Sequence, residues 1–156
     1  MYNLGDDVGS IKAASTLGEF DMSAHLGSWV VLYFYPKDNT SACTLEARGF
    51  SAAKAEFEKE GAYIVGVSRD SVKTHQGFCT RQELCIELIS DKEEALCQAF
   101  DVIKPKIMYG KQCRGIVRST FLINPQGKIA HQWRGVKVPG HVEEVLATLR
   151  QLKSAG

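Results

Sequence analysis

From Trp29 to Tyr35 every residue is apolar (WVVLYFY). An unbroken run of β-branched and aromatic side chains predicts a strand covered on both faces, as at the centre of a parallel sheet. Pro36 ends it, having no amide hydrogen to offer a neighbouring strand. The polar DNTS that follows predicts a helix start with Thr40 or Ser41 as N-cap. One helix is expected from Ser41 to Glu60, because Cys43, Ala47, Phe50, Ala53 and Phe57 recur at three and four and share a face. Gly61 is placed to close it in a left-handed conformation.

On either side the pattern is shorter in range. Residues 1–28 are weakly patterned, with short strands expected around Ile11–Ala13 and Glu19–Met22. AYIVGV, Ala62 to Val67, predicts a second buried strand, and Ser71 caps a shorter helix that carries Cys79. Cys85 to Ser90 alternates as a strand, and Asp91 opens a helix that runs through Phe100. Asp101 to Gly115, with Pro105 and two glycines, reads as a loop. STFLI (119–123) and KIAHQWR (128–134) flank NPQG, whose proline and glycine fit a type I turn, so an antiparallel hairpin is expected. Val142, Val145, Leu146, Leu149 and Leu152 mark a closing amphipathic helix. This order predicts an α/β fold, a mixed central sheet flanked by helices on both faces, of which the thioredoxin-like plan is one form. Period and spacing alone admit other α/β layouts. With no repeats and no linker, residues 1–156 read as a single domain.

Composition narrows the function classes. A chain of 156 residues buries roughly two thirds of its unfolded surface and needs no disulfide to fold. Its formal charge of +1 gives no nucleic-acid footprint. The opening MYNLGDDVGS has neither a basic leader region nor a long apolar core, so no secretory signal, no membrane span and a cytoplasmic location are expected. In a reducing compartment the five cysteines are not structural staples, and any bridge is transient and catalytic. No C-x-x-C pair is present, which removes the thioredoxin-type dithiol and the usual zinc signal. No metal or cofactor is expected.

Cys43 is the candidate nucleophile. It falls in the first turn of the expected helix, where unpaired amides and the positive end of the helix dipole favour a thiolate over a thiol. A free cysteine is more often a small buried hydrophobe, and for Cys43 alone that reading would win. Cys85, at the start of a strand, and Cys97, on an apolar helix face, are read as core. Cys113 lies in the expected loop. The four histidines, 25, 75, 131 and 141, share no spacing or motif, so a Cys-His dyad is a poor reading. Trp133 is read as a packing residue.

The run FYPKDNTSACTLEARGF resembles the active-site signature of the peroxiredoxins, P-x-x-x-T-x-x-C, through Pro36, Thr40 and Cys43. GIVRSTFLINPQGKI and WRGVKVPGHVEEVL are similar to the matching regions of the bacterioferritin comigratory protein subfamily, also called PrxQ. Where many relatives have Pro-Gly before the cysteine, this chain has Ser41-Ala42.

The resemblance implies a thioredoxin-like fold and reduction of hydrogen peroxide and organic hydroperoxides by Cys43, which becomes a sulfenic acid. It implies that Thr40 orients the peroxide, that Arg118 stabilises thiolate and transition state, that Pro36 shields the pocket from water and that Glu46 holds the arginine. Some PrxQ members carry a resolving cysteine five residues after the first, but Arg48 stands there. SVKTHQGFC resembles the class with the resolving cysteine on the following helix, which assigns it to Cys79, with Cys113 as chief rival. Thioredoxin, or glutaredoxin, is the implied reductant, and a monomer the implied state. A different class of function, a redox-sensing module switched by a Cys43–Cys79 disulfide, rests on the same two cysteines.

Overall fold

In the computed structural model, which describes residues 1–155, the weakly patterned start folds into a hairpin of β1 (Lys12–Ser15) and β2 (Gly18–Asp21), followed by a 3-10 turn at Met22–His25. The apolar run forms β3 (Trp29–Phe34). The helix expected over 41–60 is two helices, α1 (Ser41–Ala52) and α2 (Lys54–Lys59), broken at Ala53, where φ is −91° and ψ is 1°. The break lets α2 turn back onto the next strand while Phe57 stays in the apolar cluster that holds Phe50. Gly61 follows with φ at +72°, as its position predicts.

β4 (Ala62–Ser68) leads to α3 (Val72–Gln82), whose cap Ser71 accepts a hydrogen bond from the Thr74 amide. The strand expected from Cys85 begins only at Glu87, as β5 (Glu87–Ser90). Glu83 closes α3 in the left-handed region, and the Leu84 amide returns to the Cys79 carbonyl. That turn carries Cys85 onto the surface, where its amide donates to Ser51 Oγ at 2.7 Å. Cys85 is therefore not a core residue. The helix expected from Asp91 is confined to α4 (Ala95–Ala99). Asp91 serves it from upstream, its carboxylate accepting the amides of Leu96 and Cys97 at 3.1 and 2.8 Å.

Asp101 to Gly115 is not a loop. It holds most of a second, two-stranded sheet, β6 (Ile103–Met108) and β7 (Lys111–Ile116), joined by Tyr109-Gly110 with φ at +54° and +75°. Positive φ at both positions is the mark of a tight hairpin turn. Among the described residues, only the base of this arm, Ile103 and Ile116, enters the core, so its strands needed no apolar alternation and left none to read. β8 (Ser119–Ile123) and β9 (Ile129–Arg134) form the hairpin expected around NPQG. There Asn124 accepts the amides of Gln126 and Lys128, each at 3.0 Å. α5 (His141–Ala155) closes the chain on Val142, Val145 and Leu149.

The main sheet has the order β2-β1-β5-β4-β3-β8-β9, parallel across β3, β4 and β5 and antiparallel elsewhere. Val30, Leu32 and Phe34 point into one core with Leu96, Phe100 and the N-terminal Val8. Val31, Tyr33 and Tyr35 point into the other, with Cys43, Phe50, Phe78 and Leu149. Helices thus cover both faces of a mixed sheet, and the thioredoxin-like plan is the one adopted. Among the described residues, no helix is long and apolar enough to cross a membrane.

Gly66 in β4 pairs in register with Tyr33. A methyl group there would lie 2.8 Å from the Tyr33 ring and 2.9 Å from Leu88. Gly66→Ala therefore sets overpacking of roughly 1–3 kcal/mol against a gain of roughly 0.4–1 kcal/mol from a stiffer unfolded chain. Overpacking wins, and urea denaturation is expected to give a lower midpoint at unchanged slope.

Candidate active site

Cys43 sits two residues after the start of α1, and the first backbone bond of that helix is donated by Thr44 to the Thr40 carbonyl. The amides of Ser41, Ala42 and Cys43 therefore precede the helical ladder. Thr40 occupies the N-cap, yet its hydroxyl does not cap. It donates instead to the Lys37 carbonyl at 2.8 Å.

Arg118 reaches the same place from the opposite end of the chain. Ser119 opens β8 in register with Phe34, the last residue of β3, so residue 118 emerges where the chain leaves β3 for α1. Its Nη2 donates to Cys43 Sγ at 3.3 Å and its Nη1 to Glu46 Oε1 at 2.6 Å. The planar fork suits two acceptors held side by side, a geometry that an ammonium cannot copy. Cys43 and Glu46, three residues apart, lie on the same helix face.

The sulfur is 1% exposed as part of its residue, and Glu46 is fully buried. Burial in apolar surroundings alone would make Cys43 inert, so the Arg118 guanidinium at its sulfur is what distinguishes it from a core thiol. Burial pushes the Glu46 carboxyl up to about 7, with Arg118 pulling the other way. Burial would lower the Arg118 guanidinium, but Glu46 and Cys43 hold it above its ordinary value. Glu46 Oε2 and the Tyr33 hydroxyl, both buried, have no hydrogen-bond partner. Unpartnered polar atoms of this kind are costly and rare. Pro36, half-buried, follows Tyr35 directly at the end of β3.

Cys79 lies on α3, half-buried, and is a free thiol, as are the other four cysteines. Burial, with the Asp38 carboxylate second, pushes its thiol up to about 11. It lines a cavity of about 530 Å³ with Cys85, Tyr63 and Ile86. Cys97 is buried as expected, and burial also pushes its thiol up. Cys113 is on β7 of the separate hairpin arm, half-buried, rather than in a loop. Trp133 packs edge-on against His131 and His141.

One part of the site has no counterpart in the sequence reading. His75 and Asp38, both with fully buried side chains, meet at 2.6 Å between Nδ1 and Oδ2, and Tyr35 donates its hydroxyl to Asp38 Oδ1 at 2.6 Å. The signals available were slight: an acid between Pro36 and Thr40 with no capping duty, and a histidine one helical turn before Cys79. Asp38, Asp70 and His75 are also a group with metal-ligating atoms, within 4.8 Å of one another. Asp38 Oδ2 and His75 Nδ1 are already bound to each other, and Asp70 Oδ2 accepts from the Asp38 amide and Ser68. The cluster is a hydrogen-bond network.

Residues 4–132 match the AhpC/TSA family. The chain is 57% identical over 129 residues to peroxiredoxin Bcp of Xanthomonas campestris, spanning 83% of this chain and 81% of that protein. It is 45% identical over 131 residues to peroxiredoxin Bcp of Bacillus subtilis, spanning 84% of this chain and 83% of that one. Among solved structures, peroxiredoxin Q of Xanthomonas campestris superposes with a TM-score of 0.88 at 50% identity, covering 97% of this chain and 96% of that one. PrxQ of Xylella fastidiosa, as a cysteine-to-serine variant, gives a TM-score of 0.92 at 44% identity, covering 98% of each.

Glu46 has its folded value, about 7, above its ordinary 4.5. A carboxyl raised on folding contributes stability that is present in full below 4.5 and is lost as pH rises through 7. Between those limits the wild type is expected to lose stability with rising pH, by on the order of 3 kcal/mol, relative to Glu46→Gln. Denaturation midpoints of both proteins across that window check this; parallel curves would refute it.

Proposed function

The chain belongs to the AhpC/TSA family and, within it, to the Bcp/PrxQ peroxiredoxins, which makes it a peroxidase, and we propose that it reduces hydrogen peroxide and organic hydroperoxides through Cys43 with Cys79 as resolving thiol. The observation that carries this reading is the guanidinium fork of Arg118 on Cys43 Sγ and Glu46. A solved relative from Xanthomonas campestris is described by its alkyl peroxide reduction activity, which supports organic hydroperoxides as substrates.

The Cys43 thiolate attacks one peroxide oxygen, the O–O bond breaks, and the leaving oxygen takes up a proton and departs as water or an alcohol. Sulfur keeps one oxygen as a sulfenic acid. Negative charge spreads over sulfur and both oxygens in that displacement. Arg118 and the amides at the start of α1 are donors already in position for it. The Thr40 hydroxyl has its single hydrogen committed to Lys37. Toward a peroxide it acts as acceptor for the O–H, and so presents the hydrogen-bearing oxygen to the sulfur, the one that sulfur keeps as a sulfenic acid while the other departs. Pro36 keeps water from the pocket.

Cys79 then attacks the sulfenic sulfur, water leaves, and a Cys43–Cys79 disulfide remains. Such a bridge needs Cα atoms within about 7 Å, so the first turn of α1 and α3 unwind locally. Unwinding also activates the attacker. A thiol held near 11 by burial relaxes toward its ordinary 9.0 in water, raising its thiolate fraction roughly a hundredfold. An external dithiol, thioredoxin or glutaredoxin, reduces the disulfide through a mixed disulfide. The chain works as a monomer.

Peroxide consumption coupled to a thioredoxin system is expected to vanish in Cys43→Ser. In Cys79→Ser one turnover survives and cycling collapses; cycling at the wild-type rate would move the resolving role to Cys113 or to an external thiol. Fast multiple turnover also separates a peroxidase from a redox sensor. Arg118→Lys keeps the charge but loses the fork, and stopped-flow reaction with peroxide is expected to slow by roughly a hundredfold; a rate within twofold of wild type would remove Arg118 from the mechanism.

A further inference from the structure

The Asp38–His75 pair joins two segments that the proposed cycle requires to separate. Asp38 belongs to the loop between β3 and α1, flanked by Pro36 and Thr40. His75 belongs to α3, one turn before Cys79 and on the same face. Both side chains are fully buried. His75 Nε2 faces the Ile89 carbonyl at 2.8 Å, which can only accept, so Nε2 carries a hydrogen. Nδ1 faces Asp38 Oδ2 at 2.6 Å, so a second proton lies between ring and carboxyl. Tyr35 donates to the other oxygen of Asp38, and the Asp38 amide donates to Asp70 Oδ2 at 2.9 Å. Further ties are the Tyr35 hydroxyl, 3.4 Å from His75 Nδ1, and an exposed one, Arg81 Nε to Asn39 Oδ1 at 3.3 Å. Beside the apolar cluster that Phe78 shares with Tyr35 and Cys43, the strongest polar contact of the joint is therefore the buried, charge-assisted one between Asp38 and His75.

We propose that Asp38 and His75 are positioning residues forming a latch between the Cys43 loop and the Cys79 helix, and that its opening limits how fast the disulfide forms. This rests on Cys79 as the resolving thiol. While the latch is closed, the Pro36–Thr40 loop keeps its place beside Cys43 and α3 stays helical up to Cys79. The Asp38 carboxylate is also among the causes that hold the Cys79 thiol protonated. Opening withdraws that carboxylate and frees α3 to unwind. The latch sets a competition: a closed one leaves the sulfenic acid waiting, exposed to a second peroxide and to conversion to sulfinic acid. An easily opened one resolves it first.

Two substitutions at His75 separate the latch from general packing. Glutamine places its amide nitrogen where Nε2 stood, keeping the Ile89 contact and losing Asp38. Asparagine places its amide nitrogen near Nδ1, keeping Asp38 and losing Ile89. The measurement is disulfide formation after one equivalent of hydrogen peroxide, by quenched alkylation and mass spectrometry, alongside the sulfinic acid formed at excess peroxide. His75→Gln is expected to form the bridge about tenfold faster and to yield correspondingly less sulfinic acid, the size of effect a lost charge-assisted hydrogen bond gives, while His75→Asn stays near wild type. Equal shifts in both variants, or none in either, would overturn the latch.

Should a variant fail to fold, amide hydrogen exchange of the wild-type chain decides. Residues 36–40 and 72–82 are expected to lose protection together on oxidation, and retained protection around Asp38 and His75 in the disulfide form would overturn the proposal. A wild-type chain that forms no Cys43–Cys79 bridge at all overturns the resolving assignment, and the latch with it.

Discussion

Arg118 carries a charge into a place where water barely reaches, and the two acceptors it finds there, the Cys43 sulfur and the Glu46 carboxyl, lie on one face of α1. A guanidinium taken out of water needs compensation on this scale, and breaking such a pair leaves the other partner stranded. Much of the architecture is explained by that contact. β8 must run antiparallel to β3 with Ser119 opposite Phe34 to bring residue 118 to the strand's end. The chain must then turn within a few residues from β3 into α1, so that the start of a helix faces the arginine.

The core beneath this site is less satisfied than elsewhere. Tyr33, in the same cluster as Cys43, stacks on Phe50 with ring centres 4.7 Å apart and lies against Gly66, which is kept small to admit it. Its hydroxyl and one Glu46 oxygen are left without partners, and burial raises both groups. Local rules of polar satisfaction tend to be broken where function competes with stability. Two of the three buried side-chain atoms without a partner among the described residues belong to side chains beside Cys43, Tyr33 in its cluster and Glu46 on its helix face; the third, Gln132 Oε1, is on β9.

Two thiols of one chain are kept in different surroundings by ordinary means. Cys43 has a cation at its sulfur, whereas Cys79 is covered on α3, with burial and a neighbouring carboxylate holding it as a thiol. In the cycle proposed above, this folded arrangement suits the first chemical step and not the second. In that proposed cycle, local unwinding supplies the change of state between them, and the free energies of such partial openings range from near zero up to that of global unfolding. On that proposal, the contacts that resist opening carry kinetic weight without touching a substrate.

The order of residues by itself determined the two-sided strand at 29–35, the hairpin at NPQG, the closing helix and the family signature around Cys43. Each of these is written in a short window, as a run, a turn dipeptide, a helical period or a motif. It misjudged the helix break at Ala53, the position of Cys85 and the arm over 103–116, because a kink between two helical stretches, a surface turn and a hairpin outside the main sheet leave no apolar period. Arg118 and Glu46 were named only through the family's pattern; their meeting, 72 residues apart, was decided by strand register in three dimensions. His75 and Asp38, 37 residues apart, carried only slight signals, and none of them pointed from one residue to the other. Side-chain hydrogen bonds between distant segments have no periodicity, and only the packing of α3 against the loop after β3 could make them a pair.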